Sequence, residues 1–113
     1  MLEYMDALGR SPFANWFNAL NATAAAKIVT HLTRIELGNL SNVEPVGGGV
    51  LEKKIDWGPG YRIYFGRDGR TLIVLLAGSQ KKDQGKVIES AKRYWTDYKA
   101  RKRTKAYGAD PKL

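Results

Sequence analysis

Apolar positions follow a helical period up to about residue 37 and alternate from about residue 50, and this change of rhythm predicts the layout of the chain. Leu2 to Met5 opens with a short strand. Ser11-Pro12 marks a helix start, because the serine side chain caps free N–H groups and proline at the first helical position has no N–H to leave unpaired. Phe13, Trp16, Phe17 and Leu20 then share one helical face. After Asn21-Ala22-Thr23 a second helix is expected from about Ala24 to Leu37, with Ala25, Ile28, Val29, Leu32 and Ile35 as its apolar face and Gly38-Asn39 as its stop. Residues 38–50, with the triplet Gly47-Gly48-Gly49, read as a turn-rich hinge. They are not a phosphate loop, since no Gly-Lys-Ser/Thr follows and the next element is a strand.

Strands are predicted over Val50–Trp57, Tyr61–Phe65 and Thr71–Ala77, separated by Gly58-Pro59-Gly60 and the hairpin signal Asp68-Gly69. Gly78 to Gln80 closes the third. A last helix over Asp83–Ala100 buries Val87, Ile88, Ala91, Tyr94, Trp95 and Tyr98. The order (β)ααβββα predicts an α+β domain, an antiparallel sheet with its helices clustered on one side. Residues 1–100 make one domain and residues 101–113 a basic, flexible tail.

Composition narrows the chemistry. With 43% hydrophobic residues the 113-residue chain has material for one core. It has no Cys and one His, so thiolate and multi-histidine metal sites are excluded, and neither metal nor cofactor is expected. No apolar run approaches the ~18 residues of a membrane span and the start carries no leader pattern, which predicts a soluble cytoplasmic protein with no membrane partner. Charge changes the picture most. The net is +8, and residues 51–113 carry +9 while residues 1–50 carry −1. That polarity predicts a polyanionic partner.

The candidate chemistry sits in the basic half. Lys53, Lys54, Trp57, Tyr61, Arg62, Tyr64, Arg67 and Arg70 lie on or beside the predicted strands, and Lys81, Lys82 and Gln84 in the loop after them. Alternation places Lys54 with Glu52 and Asp56 on one face, opposite Lys53 and Ile55, and puts Arg62 with Tyr64. Cations interleaved with aromatics suit RNA, where ammonium and guanidinium groups hold phosphates and rings stack on bases. Ordinary sheet packing accounts equally well for Trp57, Tyr61 and Tyr64. His31 lies between apolar helical positions and reads as packing or surface rather than catalysis.

The run from Gly49 to Gln84, with Gly58-Pro59-Gly60-Tyr61-Arg62, the Tyr64-Phe65 pair, an apolar strand ending in Gly78 and a Lys–Gln loop, resembles the addiction-module killer proteins. These are a HigB-like branch of the RelE/ParE toxin superfamily, and the likeness spans roughly residues 2–100. It implies the compact RelE-like fold and a metal-independent endoribonuclease cutting mRNA on the ribosome. It further implies a cognate helix-turn-helix, HigA-like antitoxin as partner, with operator DNA reached only through it. Matched by position, Lys54, Arg62 and Lys81 become the catalytic set, with Lys53, Tyr61, Tyr64, Arg67, Lys82 and Gln84 as RNA-binding residues. The chain departs from the pattern at Gly78-Ser79-Gln80-Lys81, which lacks a carboxylate beside the lysine, and in having no tyrosine near Val87 and Ile88. On this reading a cation-crowded lysine of lowered pKa acts as base, and Arg62 is an exposed clamp whose loss spares folding. A ParE-like gyrase inhibitor and a non-catalytic RNA- or ribosome-binding module are the alternatives on the same fold.

Overall fold

The computed structural model describes residues 1–109, with side chains through residue 103. Its elements are β1 (Leu2–Glu3), α1 (Pro12–Asn18), α2 (Ala22–Glu36), β2 (Val43–Gly47), β3 (Val50–Ile55), β4 (Tyr61–Asp68), β5 (Leu72–Gln80), a 3-10 turn (Lys81–Asp83) and α3 (Gln84–Ala109). They form an α+β domain around one five-stranded sheet of order β1-β5-β4-β3-β2. Four strands run antiparallel to their neighbours, and β1 joins β5 in parallel, which makes the sheet mixed.

Local signals explain the helix starts. The Ser11 hydroxyl accepts from the Ala14 N–H at 3.0 Å, and the Asn21 side chain accepts from the Ala24 N–H at 2.9 Å. With Asn21 as cap, α2 begins two residues earlier than expected and turns Ala24, Ile28 and Ile35 inward, leaving Val29 on the surface.

Three expectations are corrected. Residues 43–47 are an edge strand and not a hinge: β2 pairs with β3, and the glycine triplet makes the hairpin turn between them with positive φ at all three positions. Pro45 is tolerated because an edge strand needs only one ladder. Helices cover both faces of the sheet. The side bearing Ile55, Tyr61, Ile63, Phe65, Ile73 and Leu75 packs on Phe13 of α1 and on Ala24, Ile28 and Ile35 of α2. The other side bears Val50, Tyr64, Val74 and Leu76, packed with Ala91 and Trp95 of α3. Finally, α3 continues to Ala109 through the basic segment expected to be a tail. Lys102 pairs with Asp68 of β4 at 2.6 Å and Arg101 donates to the Met5 carbonyl, tying that part of the helix to the body. Residues 110–113 of the expected tail lie outside the described residues.

On each side a tryptophan sits against a strand glycine. A Cβ at Gly78 would lie 2.1 Å from the Trp16 ring, and one at Gly66 would lie 2.5 Å from the Trp95 ring. Only glycine allows either approach. No helix among the described residues is long and apolar enough to cross a membrane.

Candidate functional site

Strand register builds the site. Lys54 of β3 stands opposite Arg62 of β4, and Arg62 opposite Ser79 of β5. The next row is Glu52, Tyr64 and Ala77. Pleating sends the side chains of both rows to the α3 side. The 3-10 turn is tied to the β3–β4 turn by the Lys81 N–H donating to the Gly60 carbonyl at 2.9 Å, and the Lys81 side chain lies close to Gly60. The sheet ends and the start of α3 therefore converge, bringing Lys54, Arg62, Lys81 and Gln84 to one end of the domain as the sequence pattern predicts.

Burial differs from expectation. Arg62 is 4% exposed, not an open clamp. Its Nη1 donates to the Tyr61 carbonyl at 3.0 Å and stands 4.0 Å from the exposed Asp56 carboxylate, while its Nε has no partner. Glu52 is fully buried, and the Gln84 amide donates to both of its oxygens at 3.0 and 2.8 Å. The Tyr64 hydroxyl lies 3.3 Å from the Ser79 hydroxyl, and burial pushes its pKa far above the ordinary tyrosine range.

Lys54 is the second correction. Its ammonium pairs with Glu44 of β2, and that hydrogen bond raises its pKa, contrary to the lowering expected of a base. It remains a cation at neutral pH. The lysine with a lowered pKa is Lys53, through burial first and the Arg34 charge second. It stands on the opposite sheet face, 3% exposed, donating to the Ser41 carbonyl at 2.6 Å.

Four more expected site residues fall into two groups. Tyr61 faces α1 and α2, with its ring 6.2 Å from Trp16 and 6.1 Å from Trp57. Arg67 lies toward the far end of β4, opposite Ile73, donating to the Arg70 carbonyl at 3.0 Å. Neither joins the row of Lys54 and Arg62. Lys82 is exposed and lines an open pocket of about 460 Å³ with Trp16, Gln80, Asp83 and Lys86, beside the 3-10 turn. Gln84 is at the site but contacts Glu52. Glu52, Ser79 and Glu44 were not among the expected catalytic or RNA-binding residues, although the sequence pattern put Glu52 on the face of Lys54 and Ser79 in the loop beside Lys81. Glu52 carried a signal, its alternation with Lys54; Glu44 carried none, because its strand was not foreseen.

Comparison with known proteins yields a relative in Haemophilus influenzae, an uncharacterized protein 38% identical over 81 residues, which are 71% of this chain and 82% of that protein. The chain belongs to the family of that protein. No family model matches it, and no solved structure matches.

Proposed function

We propose that the chain is a RelE/ParE-superfamily toxin of the HigB-like branch, a ribosome-dependent mRNA endoribonuclease of the cytoplasm neutralised by a helix-turn-helix antitoxin. The observation carrying this reading is the meeting of Lys54, Arg62 and Lys81 at one end of the sheet, within a half-chain of charge +9. RNA cleavage uses the substrate's own 2′-OH and needs in-line geometry and charge against the phosphorane. Here Lys54 and exposed Lys81 supply cations. Lys54, held protonated by Glu44, stabilises charge and does not accept the proton; as the 2′-oxygen bonds to phosphorus and the 5′-oxygen leaves, water takes the 2′-OH proton and supplies one to the 5′-oxygen. Arg62 supports the β4 end from within. The ribosome supplies the remaining geometry, so free RNA is a poor substrate. Operator DNA is contacted only through the antitoxin, whose acidic side chains cover Lys81 and its neighbours.

Primer extension on a translating message tests this. The protein is expected to cut ribosome-bound mRNA and to spare free RNA, with no effect of chelator. Lys81→Ala, at an exposed position, is expected to fold and to lose about 10²-fold in cleavage, the loss typical of one charge donor. Full cleavage by that variant removes Lys81 from the site. A gyrase inhibitor is the second reading, favoured by the burial of Arg62, and accumulation of relaxed DNA with intact mRNA would select it.

A further inference from the structure

On the opposite side of the molecule from the Arg62 row, Lys27, His31 and Arg34 recur at helical spacing along one stripe of α2. Lys53 of β3 lies behind them, its charge close enough to act on His31. Among the described residues no carboxylate pairs with Lys27, Arg34 or Lys53, because Glu36 meets the chain's amino terminus and Glu44 meets Lys54. The Lys27 ammonium stands 5.5 Å from the centroid of the half-buried Trp57 ring, which closes one edge of the stripe. His31 Nδ1 is out of solvent with no partner. Burial first, then the positive charges of Lys53, Arg34 and Lys27, lower the pKa of this ring. Cations gathered without counter-charge repel one another, and a bound anion relieves that repulsion.

We infer that this stripe is a second nucleic-acid contact, in which Lys27 and Arg34 hold the phosphates of a single strand while Trp57 offers its ring to a base. The surface is distinct from the candidate cleavage site and does not depend on cleavage. Phosphate is the shared chemistry of a free anion and a polynucleotide, and the aromatic edge together with several spaced cations selects the polynucleotide. His31 reports occupancy, because a phosphate beside it favours the imidazolium form.

The probe is a short oligouridylate, followed by fluorescence anisotropy over a salt series and by NMR of the histidine ring, the sole one in the chain. Binding is expected to raise the His31 pKa. Lys27→Gln with Arg34→Gln is expected to weaken affinity about tenfold and to lower the slope of log K against log salt by about 1.4, two phosphates at ~0.7 each. Circular dichroism checks that this variant folds, and Lys27→Gln alone gives half the slope change if the pair does not. Unchanged affinity and slope in the variants would overturn the inference, as would an unmoved His31 titration or no binding at all. Inorganic phosphate matching the oligonucleotide at equal concentration would also overturn it. Since no arm reads cleavage, loss of the nuclease reading leaves the result intact.

Discussion

The two faces of the sheet are made by the same strands yet differ in kind. Toward α1 and α2, Ile55, Ile63, Phe65, Ile73 and Leu75 form a continuous apolar floor. Toward α3 the floor is apolar under Ala91 and Trp95, but at the start of the helix it becomes polar, with Glu52, Arg62, Tyr64 and Ser79 all buried. Burying such groups without partners costs several kcal/mol, so the polar end depends on its hydrogen bonds where the apolar end depends on volume. One face is built mainly by packing, with Lys53 held by the Ser41 carbonyl as its buried charge. The other gives up part of its packing to hold charged groups where an exposed cationic rim, Lys81 and Lys82, meets solvent.

Substitutions sharpen this contrast. The largest effect is expected at Trp95→Ala, about 3–5 kcal/mol by urea unfolding, because a buried ring leaves a cavity over Gly66. Trp16→Ala, where the ring is only half-buried, is expected to cost less; equal losses would show that the two glycine seats are equivalent.

Arg62→Ala comes next, with a loss of about 2–4 kcal/mol, since truncating a buried side chain leaves a cavity and takes a donor from the Tyr61 carbonyl. Lys81→Ala should stay within about 0.5 kcal/mol. A stable Arg62→Ala protein would mean that the polar end contributes little to the fold.

Gln84→Ala removes both donors from Glu52 and is expected to cost about 1–3 kcal/mol. Pairing it with Glu52→Gln should recover part of that loss, because no bare carboxylate then remains buried. Additive losses in the double variant would contradict the contact.

The smallest effect belongs to acid. The Lys102 ammonium first, then the Tyr98 hydroxyl, hold the Asp68 carboxyl below its ordinary value, and the Tyr4 hydroxyl first, then Arg101, do the same for Asp97. Lowered folded-state pKa values mean that this stability is present above the unfolded value near 3.8 and is lost as pH falls through the folded one. Asp68→Asn should therefore lower the melting temperature slightly at neutral pH and converge on the parent at low pH, which flattens the acid limb of a thermal-melt series.

What the residues determined by themselves is local. Ser11-Pro12 and Asp68-Gly69 state where backbone groups find partners and where a chain reverses, and the alternation Glu52–Lys54 and Arg62–Tyr64 states which side chains share a face. These follow from dihedral and capping preferences within a few residues, so sequence reveals them. It did not reveal β2: Val43–Gly47 has a proline and a glutamate in five residues, and only the ladder to β3 makes it a strand. Its absence from the expected layout hid Glu44, and with it the reason that Lys54 stays protonated. The sides taken by the helices, and so the burial of Arg62 and the separation of Lys53 and Tyr61 from it, were likewise decided by tertiary packing. Burial and pKa depend on groups distant in the chain, and no period in the sequence carries that distance.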